Sequence, residues 1–144
     1  MNAKDEYTLV HKVRMPLRWG DMDAMGHVNN TLYFRYLEQA RIEWFEALGC
    51  PADPGGVGPV IISAHCTFLK QLRYPGEIEV HTLVGEFGRS SFHTRQRIVR
   101  VDAPDVLYAE GGAKVVWVDQ KVEKSLPLPE EMRERLLSPH TGSL

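Results

Sequence analysis

The chain has 144 residues, 43% of them hydrophobic and 25% charged, which is the composition of an ordinary globular domain and excludes fibrous and disordered classes. Its 17 lysines and arginines and 19 aspartates and glutamates give a formal net charge of −2, so no general attraction to nucleic acid or to anionic membranes is expected. No run approaches the ~20 apolar residues that span a bilayer, residues 1–12 lack the apolar core of a secretory signal, and the two cysteines, Cys50 and Cys66, are too few for a disulfide framework. We therefore expect one soluble, cytoplasmic domain over residues 1–144, with reduced thiols.

A β-strand is predicted over residues 7–18, where apolar and polar side chains alternate with a period close to two. Pro16 has no N–H to donate to a ladder, so its position late in this strand indicates a sheet edge or a bulge. A polar loop, residues 19–30, follows this strand.

The longest helical pattern in the chain runs from Thr31 to Leu48. Asn29 or Asn30 is suited to accept a hydrogen bond from the first turn, and Gly49 is suited to a left-handed C-cap. Apolar side chains cover more than one stripe of this helix, so something large, such as a curved sheet, should wrap around it. At a rise of ~1.5 Å per residue the helix spans about 27 Å, the width of a small domain.

A turn-rich loop at residues 50–59 precedes four strand-like runs. Their bounds are Val60 to Leu69, Glu77 to Phe87, Ser91 to Val101 and Val106 to Val118. Short links between consecutive runs indicate an antiparallel meander. In the last run, small residues around Gly111 lie at the centre of one face, where a helix can pack closely. An amphipathic run from Pro129 to Leu137 predicts a short final helix.

These elements together predict an α+β fold in which a five-stranded antiparallel sheet wraps around one long central helix, with a core over residues 8–137. One strand face and the outer strand edges do not meet the helix. Pairing of the sheets of two chains across a dimer would bury those edges and the exposed aromatic side chains.

The loop before the long helix carries the polar residues that suggest a reaction site: Asp21, Asp23, His27, Asn29 and Asn30. The N-terminus of a helix offers free N–H groups and a partial positive charge, which can hold an oxyanion next to a carboxylate. Either carboxylate could instead order turns through local hydrogen bonds. A metal site built from the carboxylates and the histidine is disfavoured, because the rest of the chain supplies no cluster of further ligands.

Other catalytic patterns find no support in the sequence. No Gly-x-Ser-x-Gly nucleophile elbow and no glycine-rich phosphate loop is present, and an Asp-x-Asp phosphotransferase would need the βα repeats that this chain lacks. The remaining histidines lie in strands or in the tail and are interpreted as structural or surface residues: His11, His65, His81, His93 and His140.

A second group of polar residues follows the strand ends and is a candidate for recognising phosphate, with a solvated strand face as the alternative. It consists of Arg89, Ser90 and Ser91 in the turn after Gly88, with Lys70, Arg73, Arg95 and Arg97.

The loop and helix resemble a known family. The residues Arg-Trp-Gly-Asp-Met-Asp-Ala-Met-Gly-His-Val-Asn-Asn from Arg18 to Asn30, followed by Tyr33 to Glu38 and Ala40-Arg41, resemble the acyl-CoA thioesterases of the 4-hydroxybenzoyl-CoA thioesterase-like group, which have the hotdog fold. The resemblance follows the element order from about residue 8 to residue 137.

The resemblance implies roles for individual residues. Asp23 matches the second acidic position of the motif, which attacks the thioester or activates water, and Asp21 matches the position that orders the loop. Gly26, His27, Asn29 and Asn30 would shape the site and position water or the thioester carbonyl. Arg89, Ser90, Ser91, Lys70 and Arg73 would bind the phosphates of coenzyme A.

The resemblance also implies an assembly. Active sites of the family lie at a dimer interface, so the second strand and residues 50–64 are expected to come from a partner subunit. Family members form dimers or tetramers, and a homodimer or homotetramer is expected here, with no metal or bound cofactor.

The implied activity is hydrolysis of an acyl-CoA thioester, with Asp23 as general base on water or as nucleophile through a mixed anhydride. A hydratase or dehydratase acting on acyl thioesters is one alternative, although such enzymes generally pair a histidine with an acid on or near the central helix. A non-catalytic acyl-CoA-binding module is the other. The acyl group is not indicated: Trp19, Met25, Tyr33 and Phe68 are candidates for the pocket wall and equally for the core.

Overall fold

A long helix lies against an antiparallel sheet in the structure of this protein, a computed structural model that describes residues 6–50, 53 and 55–139. The elements in chain order are β1 (Thr8–Pro16), α1 (Asn30–Ala47), β2 (Val57–Phe68), β3 (Glu77–Gly85), β4 (Ser91–Arg100), β5 (Ala103–Asp119), β6 (Lys124–Ser125) and α2 (Glu130–Leu137), with a single 3-10 turn at Trp19–Asp21. The predicted fold class, a long central helix on a sheet of five long antiparallel strands, is confirmed. Residues 51, 52 and 54 of the predicted loop, and His140, lie outside the described residues.

The five long strands lie in the order β1-β3-β4-β5-β2, and the two-residue β6 pairs with β5. Strands β3, β4 and β5 form the predicted meander. The prediction that all four later strands form one meander is wrong for β2, which pairs with β5 and not with its sequence neighbour β3. The reason is that β3 already has β1 on one side and β4 on the other, whereas β5 has 17 residues and a free edge.

The ends of α1 follow the local signals in the sequence. Asn29 is the N-cap, and its side chain accepts a hydrogen bond from the N–H of Thr31 at 3.0 Å. Gly49, just past the helix, has a φ of +80°, in the left-handed region that glycine tolerates. The observed bounds differ from the predicted ones by a single residue at each end.

Strand β1 lies at an edge of the sheet, as Pro16 at its end predicts. Its bulge lies between Leu9 and His11, away from the proline. Both β2 and β5 begin three residues earlier than predicted, at Val57 and Ala103. Among the described residues, no helix has both the length and the apolar character needed to cross a bilayer.

The core beneath α1 consists of two apolar clusters separated by a row of polar side chains. One cluster includes Tyr33, Leu37, Val80 and Ile98, and the other includes Trp44, Val84, Phe92 and Leu136. Between them lie buried polar residues that neighbour one another in register on three strands, His11, Thr82 and Gln96.

Arg41 of α1 joins this polar row and is only 7% exposed. Its Nη1 donates to Oε1 of Gln96 at 3.0 Å, while Nε2 of Gln96 donates to the carbonyl of Leu37 at 3.0 Å and to the hydroxyl of Thr82 at 3.2 Å. Burial lowers the pKa of Arg41. The polar row therefore fixes the position of α1 on the sheet.

The close approach of α1 to β5 depends on Gly111, as the small residues of that strand predict. A Cβ at this position would lie 3.0 Å from Cδ1 of Leu37 and 2.5 Å from the carbonyl oxygen of His65 on β2. Neither the helix nor the backbone of β2 leaves room for a side chain here.

Candidate active site

The polar loop before α1 is anchored at both ends to the link between β2 and β3. The N–H of Leu17 donates to the carbonyl of Gly76 at 2.8 Å, and the N–H of Val28 donates to the carbonyl of Leu72 at 2.9 Å. Inside the loop, the N–H of Asn29 donates to the carbonyl of Asp21 at 3.0 Å. These backbone contacts hold the loop across the N-terminal end of α1.

Asp23 lies at the tip of this loop in a tight turn. Its Oδ1 accepts hydrogen bonds from the N–H groups of Met25 at 2.9 Å and His27 at 3.2 Å. Gly26 has a φ of +77°, and its N–H donates to the carbonyl of Asp23 at 3.0 Å. The side chain of Asp23 is exposed, and no hydrogen bond from a described residue reaches its Oδ2. One carboxylate oxygen is thus held by the backbone while the other can act on a ligand.

Asp21 is in a different environment. The hydroxyl of the buried Tyr36, on α1, donates to its Oδ2 at 2.8 Å. Burial, and then this hydrogen bond, raise the pKa of Tyr36 above its ordinary value. The Asp21 carboxylate is therefore engaged in tying the loop to the helix, which accords with the ordering role that the resemblance implies.

Asp23 lines an open cleft of about 650 Å³ beside the first turns of α1. Its other walls include Met25, His27, Asn30, Tyr33, Phe68, Leu69 and Lys70. Nε2 of His27 is buried and finds no hydrogen-bond partner among the described residues. Such an atom is costly unless something satisfies it, so it marks a position where a ligand or water would bind.

The first turn of α1 points its positive end toward the same region. It carries no acidic side chain that would offset the partial charge of the helix terminus. Asn29 is occupied as the N-cap, and Asn30 is the first helical residue and lines the cleft. Carboxylate, imidazole, amide and helix terminus together can polarise a carbonyl and activate a water molecule.

The link after β2 forms a wall of this cleft. Lys70 of this link was a predicted site residue, whereas the contact between the link and Tyr33 was not predicted. The N–H of Leu72 donates to the hydroxyl of Tyr33 at 3.3 Å, and that hydroxyl lies 3.5 Å from the carbonyl of Lys70. The one available signal was Tyr33 itself, because a tyrosine on a buried helix face needs a partner for its hydroxyl. Which segment supplies the partner depends on the path of the chain after β2.

Three of the four candidate wall residues line the cleft: the buried Tyr33 and the exposed Phe68 and Met25. The rings of Tyr33 and Phe68 meet edge to face with centroids 4.9 Å apart. The fourth, Trp19, borders a separate depression that Asp23 and Tyr74 also line.

The candidate phosphate-binding residues fall in two places. Lys70 lies in the cleft wall, and Arg73 lies on the same link between β2 and β3. Arg89, Ser90 and Ser91 lie at the β3–β4 hairpin, at the opposite end of the strands. Along β4, seven residues at ~3.3 Å separate Ser91 from the level of the cleft, a distance of about 23 Å. A single chain does not bring this hairpin to Asp23.

The hairpin is held by the C-terminal part of the chain. Three successive carbonyls accept hydrogen bonds: Gly88 from the guanidinium of Arg133, Arg89 from the N–H of Leu128, and Ser90 from the N–H of Trp117. The side chain of Arg89 remains exposed.

Arg95 and Arg97 lie on the sheet face directed away from α1, next to His65 and Glu110 in a groove of about 630 Å³. The guanidinium of Arg95 lies 4.0 Å above the ring of Tyr7. These two arginines are therefore separated by the sheet from the cleft that Asp23 lines.

The cysteines are free thiols in the structure. Burial raises the pKa of Cys66 to about 11 and raises that of Cys50, so neither is an activated nucleophile. Within residues 6–50, 53 and 55–139, no group of three or more His, Cys, Asp or Glu side chains is arranged to hold a metal ion.

Comparison with known proteins relates the whole fold to one family. The sequence model of the thioesterase-like superfamily matches residues 17–136. A solved structure from Pseudomonas aeruginosa, provisionally assigned as a thioesterase, superposes with a TM-score of 0.84 at 42% identity, covering 88% of this chain and 98% of that one. A Xanthomonas campestris structure, provisionally assigned as an acyl-CoA thioesterase, has a TM-score of 0.73 at 34% identity, covering 83% and 100%. The 4-hydroxybenzoyl-CoA thioesterase of Pseudomonas sp. strain CBS-3 is 29% identical over 90 residues, which are 58% of this chain and 64% of that one. The resemblance drawn from the loop and helix residues is confirmed.

Proposed function

Because the chain belongs to the thioesterase-like superfamily and is a thioester hydrolase, we propose that it hydrolyses an acyl-CoA to a free acid and coenzyme A with Asp23 as the catalytic carboxylate. The observation that carries the proposal is the Asp23 side chain. Its Oδ1 is held by two backbone N–H groups, and its Oδ2 has no hydrogen bond from a described residue at the mouth of a cleft beside the positive end of α1. The similarity to the Xanthomonas campestris protein supports coenzyme A as the carrier.

A thioester needs little activation, so one carboxylate and a few oriented donors suffice. In one route Asp23 removes a proton from water, and the water oxygen attacks the acyl carbon. In the other, Asp23 attacks the acyl carbon itself, and water then hydrolyses the mixed anhydride. Both routes release coenzyme A as the thiolate, and both place negative charge on the thioester oxygen, which the terminus of α1 would stabilise. Rapid quenching would reveal an acyl group on Asp23 only in the second route.

His27 and Asn30 line the same cleft and are proposed to orient the substrate. The unpartnered Nε2 of His27 is suited to bind the attacking water or the thioester carbonyl. Asn30 stands at the first position of α1, where its amide can reach a ligand without disturbing the cap at Asn29. Gly26 has the left-handed backbone that the turn around Asp23 requires.

The complete site is proposed to need a second copy of the chain, paired edge to edge through β2. Strand β2 is the edge of the sheet, and it carries exposed apolar side chains, with Ile62 57% and Phe68 40% exposed. The neighbouring flank of α1 adds Phe34 and Ile42, both exposed. Edges and patches of this kind are normally covered in soluble proteins. At the other edge, β1 exposes only Leu9 among its large apolar residues within the described chain.

Such a pairing would also supply the missing cations. Antiparallel pairing of two β2 edges reverses one subunit relative to the other, so that the hairpin end of one chain approaches the Asp23 end of its partner. Arg89, Ser90 and Ser91 of one subunit would then bind phosphates of the coenzyme A whose thioester lies at the partner's Asp23, with Lys70 and Arg73 on the near side.

The reaction class is tested by incubating the purified protein with a panel of saturated and 2-enoyl CoA esters and following free thiol and product mass. Hydrolysis predicts one thiol and one free acid per turnover, above the rate of a sample without protein. A hydratase would add water to the enoyl esters without releasing coenzyme A, and a binding module would retain acyl-CoA stoichiometrically without turnover. Either result would refute the proposal.

A further inference from the structure

The sheet face directed away from α1 carries its own cavity, the groove of about 630 Å³ that Arg95 and Arg97 line. We refer to it as the outer groove. It runs across the neighbouring strands β4, β5 and β2, and no second chain is needed to form it. The sheet separates it from the cleft at Asp23, so the proposed function gives these two arginines no role.

The charged lining of the outer groove has an excess of cations. Three cationic side chains line it, against two carboxylates: Arg95, Arg97 and Lys114, with Glu86 and Glu110. The carboxylate of Glu86 also accepts a hydrogen bond from the hydroxyl of Tyr7. The whole chain has a formal net charge of −2, so this local excess runs against the charge of the chain and favours an anion.

Two of these cations have no partner in the part of the chain that the structure describes. The side chains of Arg97 and Lys114 make no hydrogen bond or ion pair there, although Glu110 is the register neighbour of Arg97. Arg95 is held in place, because its guanidinium lies 4.0 Å above the ring of Tyr7. A guanidinium binds two oxygens of one phosphate group at once, and an ammonium binds phosphate as a point charge.

Gly112 allows a histidine to form a further wall of the outer groove. It pairs with Arg95 on β4 and with His65 on β2. A Cβ at position 112 would lie 2.8 Å from Nε2 of His65, so the imidazole occupies the space over the backbone of β5 that a side chain would otherwise fill. His65 thereby adds a polar ring between the edge strand and Arg95. Gly112 serves the outer face in this way, whereas Gly111 serves the helix.

The spacing of the cations indicates a ligand with more than one phosphate group. Lys114 pairs with His93 and Arg97 pairs with Glu110, so the two cations lie in rows four residues apart on β4. At ~3.3 Å per residue these rows are about 13 Å apart, and Arg95 lies in the row between them. Each of two linked phosphate groups would have a cation in its own row, whereas a single phosphate group would engage one row.

We propose that the outer groove is a binding site for a diphosphate group, separate from the active site. Arg95 and Arg97 bind phosphate oxygens from β4, and Lys114 and His65 bind from the other side of the groove. The carboxylate of Glu110 opposes the anion and limits the affinity. The site is independent of the proposed thioesterase function, because binding is measured in the absence of acyl-CoA.

Isothermal titration calorimetry with inorganic pyrophosphate is the first test. The wild type should bind one pyrophosphate per chain, at least about tenfold more tightly than monophosphate, and added sodium chloride should weaken this binding. Arg97→Gln and Lys114→Gln should each weaken pyrophosphate binding about three- to tenfold. Neither side chain bonds to another described residue, so both variants should fold, which circular dichroism checks.

Two matched variants separate a direct contact from a general effect of surface charge. Glu110→Gln removes the opposing carboxylate and should strengthen pyrophosphate binding about two- to threefold. Lys121→Gln removes an exposed lysine outside the groove and should keep the wild-type affinity. ADP in place of pyrophosphate identifies the source of the diphosphate: tighter binding of ADP indicates a nucleotide, and equal or weaker binding indicates that the diphosphate alone is recognised.

Three results would overturn the inference. The first is the absence of saturable pyrophosphate binding by the wild type below about 1 mM, or an unchanged affinity in both Arg97→Gln and Lys114→Gln. The second is binding that is lost in Arg89→Gln instead, because pyrophosphate would then occupy the proposed coenzyme A site. The third is a lower molecular mass of Arg97→Glu in sedimentation, because the outer groove would then be covered by a second copy of the chain.

Discussion

The buried contact between Arg41 and Gln96 offers a stringent test of how the central helix is held. Gln96 is fully buried, accepts from the Arg41 guanidinium at 3.0 Å and donates to the hydroxyl of Thr82. Gln96→Leu preserves the approximate size of the side chain but leaves a buried cation without this acceptor. A hydrogen bond to a charged group contributes about 1.5–3 kcal/mol and one between neutral groups about 1 kcal/mol, so the free energy of unfolding should fall by about 3 kcal/mol.

The assay is urea and thermal unfolding followed by circular dichroism at one fixed protein concentration, because oligomerisation makes stability concentration-dependent. For a chain of this length each kcal/mol corresponds to about 3–4 °C, so Tm should fall by about 10 °C. Gln39→Leu, which removes an exposed glutamine from the same helix, is the matched control and should change stability by no more than about 0.5 kcal/mol.

The double variant Arg41→Met/Gln96→Leu separates the loss of a hydrogen bond from the burial of a charge. Removing both partners leaves no buried cation, so the double variant should lie within about 1 kcal/mol of the wild type and be more stable than Gln96→Leu alone. The polar row does not hold α1 as described if Gln96→Leu is as stable as the wild type. The same conclusion follows if the double variant loses as much stability as Arg41→Met and Gln96→Leu lose together when measured singly.

Three further predictions concern the loop and the outer sheet face. The new Cβ of Gly26→Ala would meet no atom within 4 Å, but alanine would have to adopt a φ of +77°, so strain of about 1–2 kcal/mol should lower kcat/KM up to about tenfold. Gly20→Ala is the control, because Gly20 also has no atom within 4 Å and does not have a positive φ, and it should leave kcat/KM unchanged. Tyr36→Phe removes the hydroxyl bonded to the Asp21 carboxylate and should reduce the free energy of unfolding, measured in urea, by about 1.5–3 kcal/mol; an unchanged midpoint would contradict the role given to that bond. Although burial alone would raise the pKa of Glu79, hydrogen bonds with His81 and a β1 arginine lower it. Ionised Glu79 therefore contributes about 0.5–1 kcal/mol to the free energy of unfolding above the ordinary glutamate pKa, and this contribution is lost as the pH falls through the lowered pKa of the folded state. Glu79→Gln should make the free energy of unfolding depend less on pH in the acid range. The same acid dependence in the variant and the wild type would refute this.

The parts of the fold that depend on local chemistry could be predicted from the sequence. A short amide side chain at Asn29 caps α1, and Gly49 ends it in a left-handed turn, because both effects act within a few residues. The small residues around Gly111 likewise predicted that the helix approaches this strand closely, because a glycine in the sequence shows directly that no side chain separates the two backbones.

The placement of β2 could not be predicted, because strand pairing depends on which edges are already occupied. The short link between β2 and β3 predicted that these two strands pair. Instead β1, which precedes α1 in the chain, pairs with that edge of β3. The burial of Arg41 was hidden for a related reason. An arginine among glutamates on a helix usually faces solvent, and only its acceptor on β4, 55 residues later, shows that this one does not.

In the candidate site too, features that lie within one short loop could be predicted from the sequence, and features that depend on distant residues could not. The turn around Asp23 and its glycine lie within one short loop, so the sequence motif describes them together. The environment that distinguishes Asp21 depends on Tyr36, fifteen residues away on the helix. The hairpin at Arg89 lies at the other end of the strands, so its proposed part in binding coenzyme A would require a second copy of the chain.

The most direct test of the catalytic assignment compares Asp23→Asn with Asp21→Asn by thiol release from acyl-CoA. The amide in Asp23→Asn can still accept from the N–H groups of Met25 and His27, so the loop should keep its conformation while the carboxylate is lost. We predict that Asp23→Asn lowers kcat/KM at least ~10²-fold, whereas Asp21→Asn, which can still accept from Tyr36, loses less than about tenfold. Wild-type turnover by Asp23→Asn would contradict the assignment.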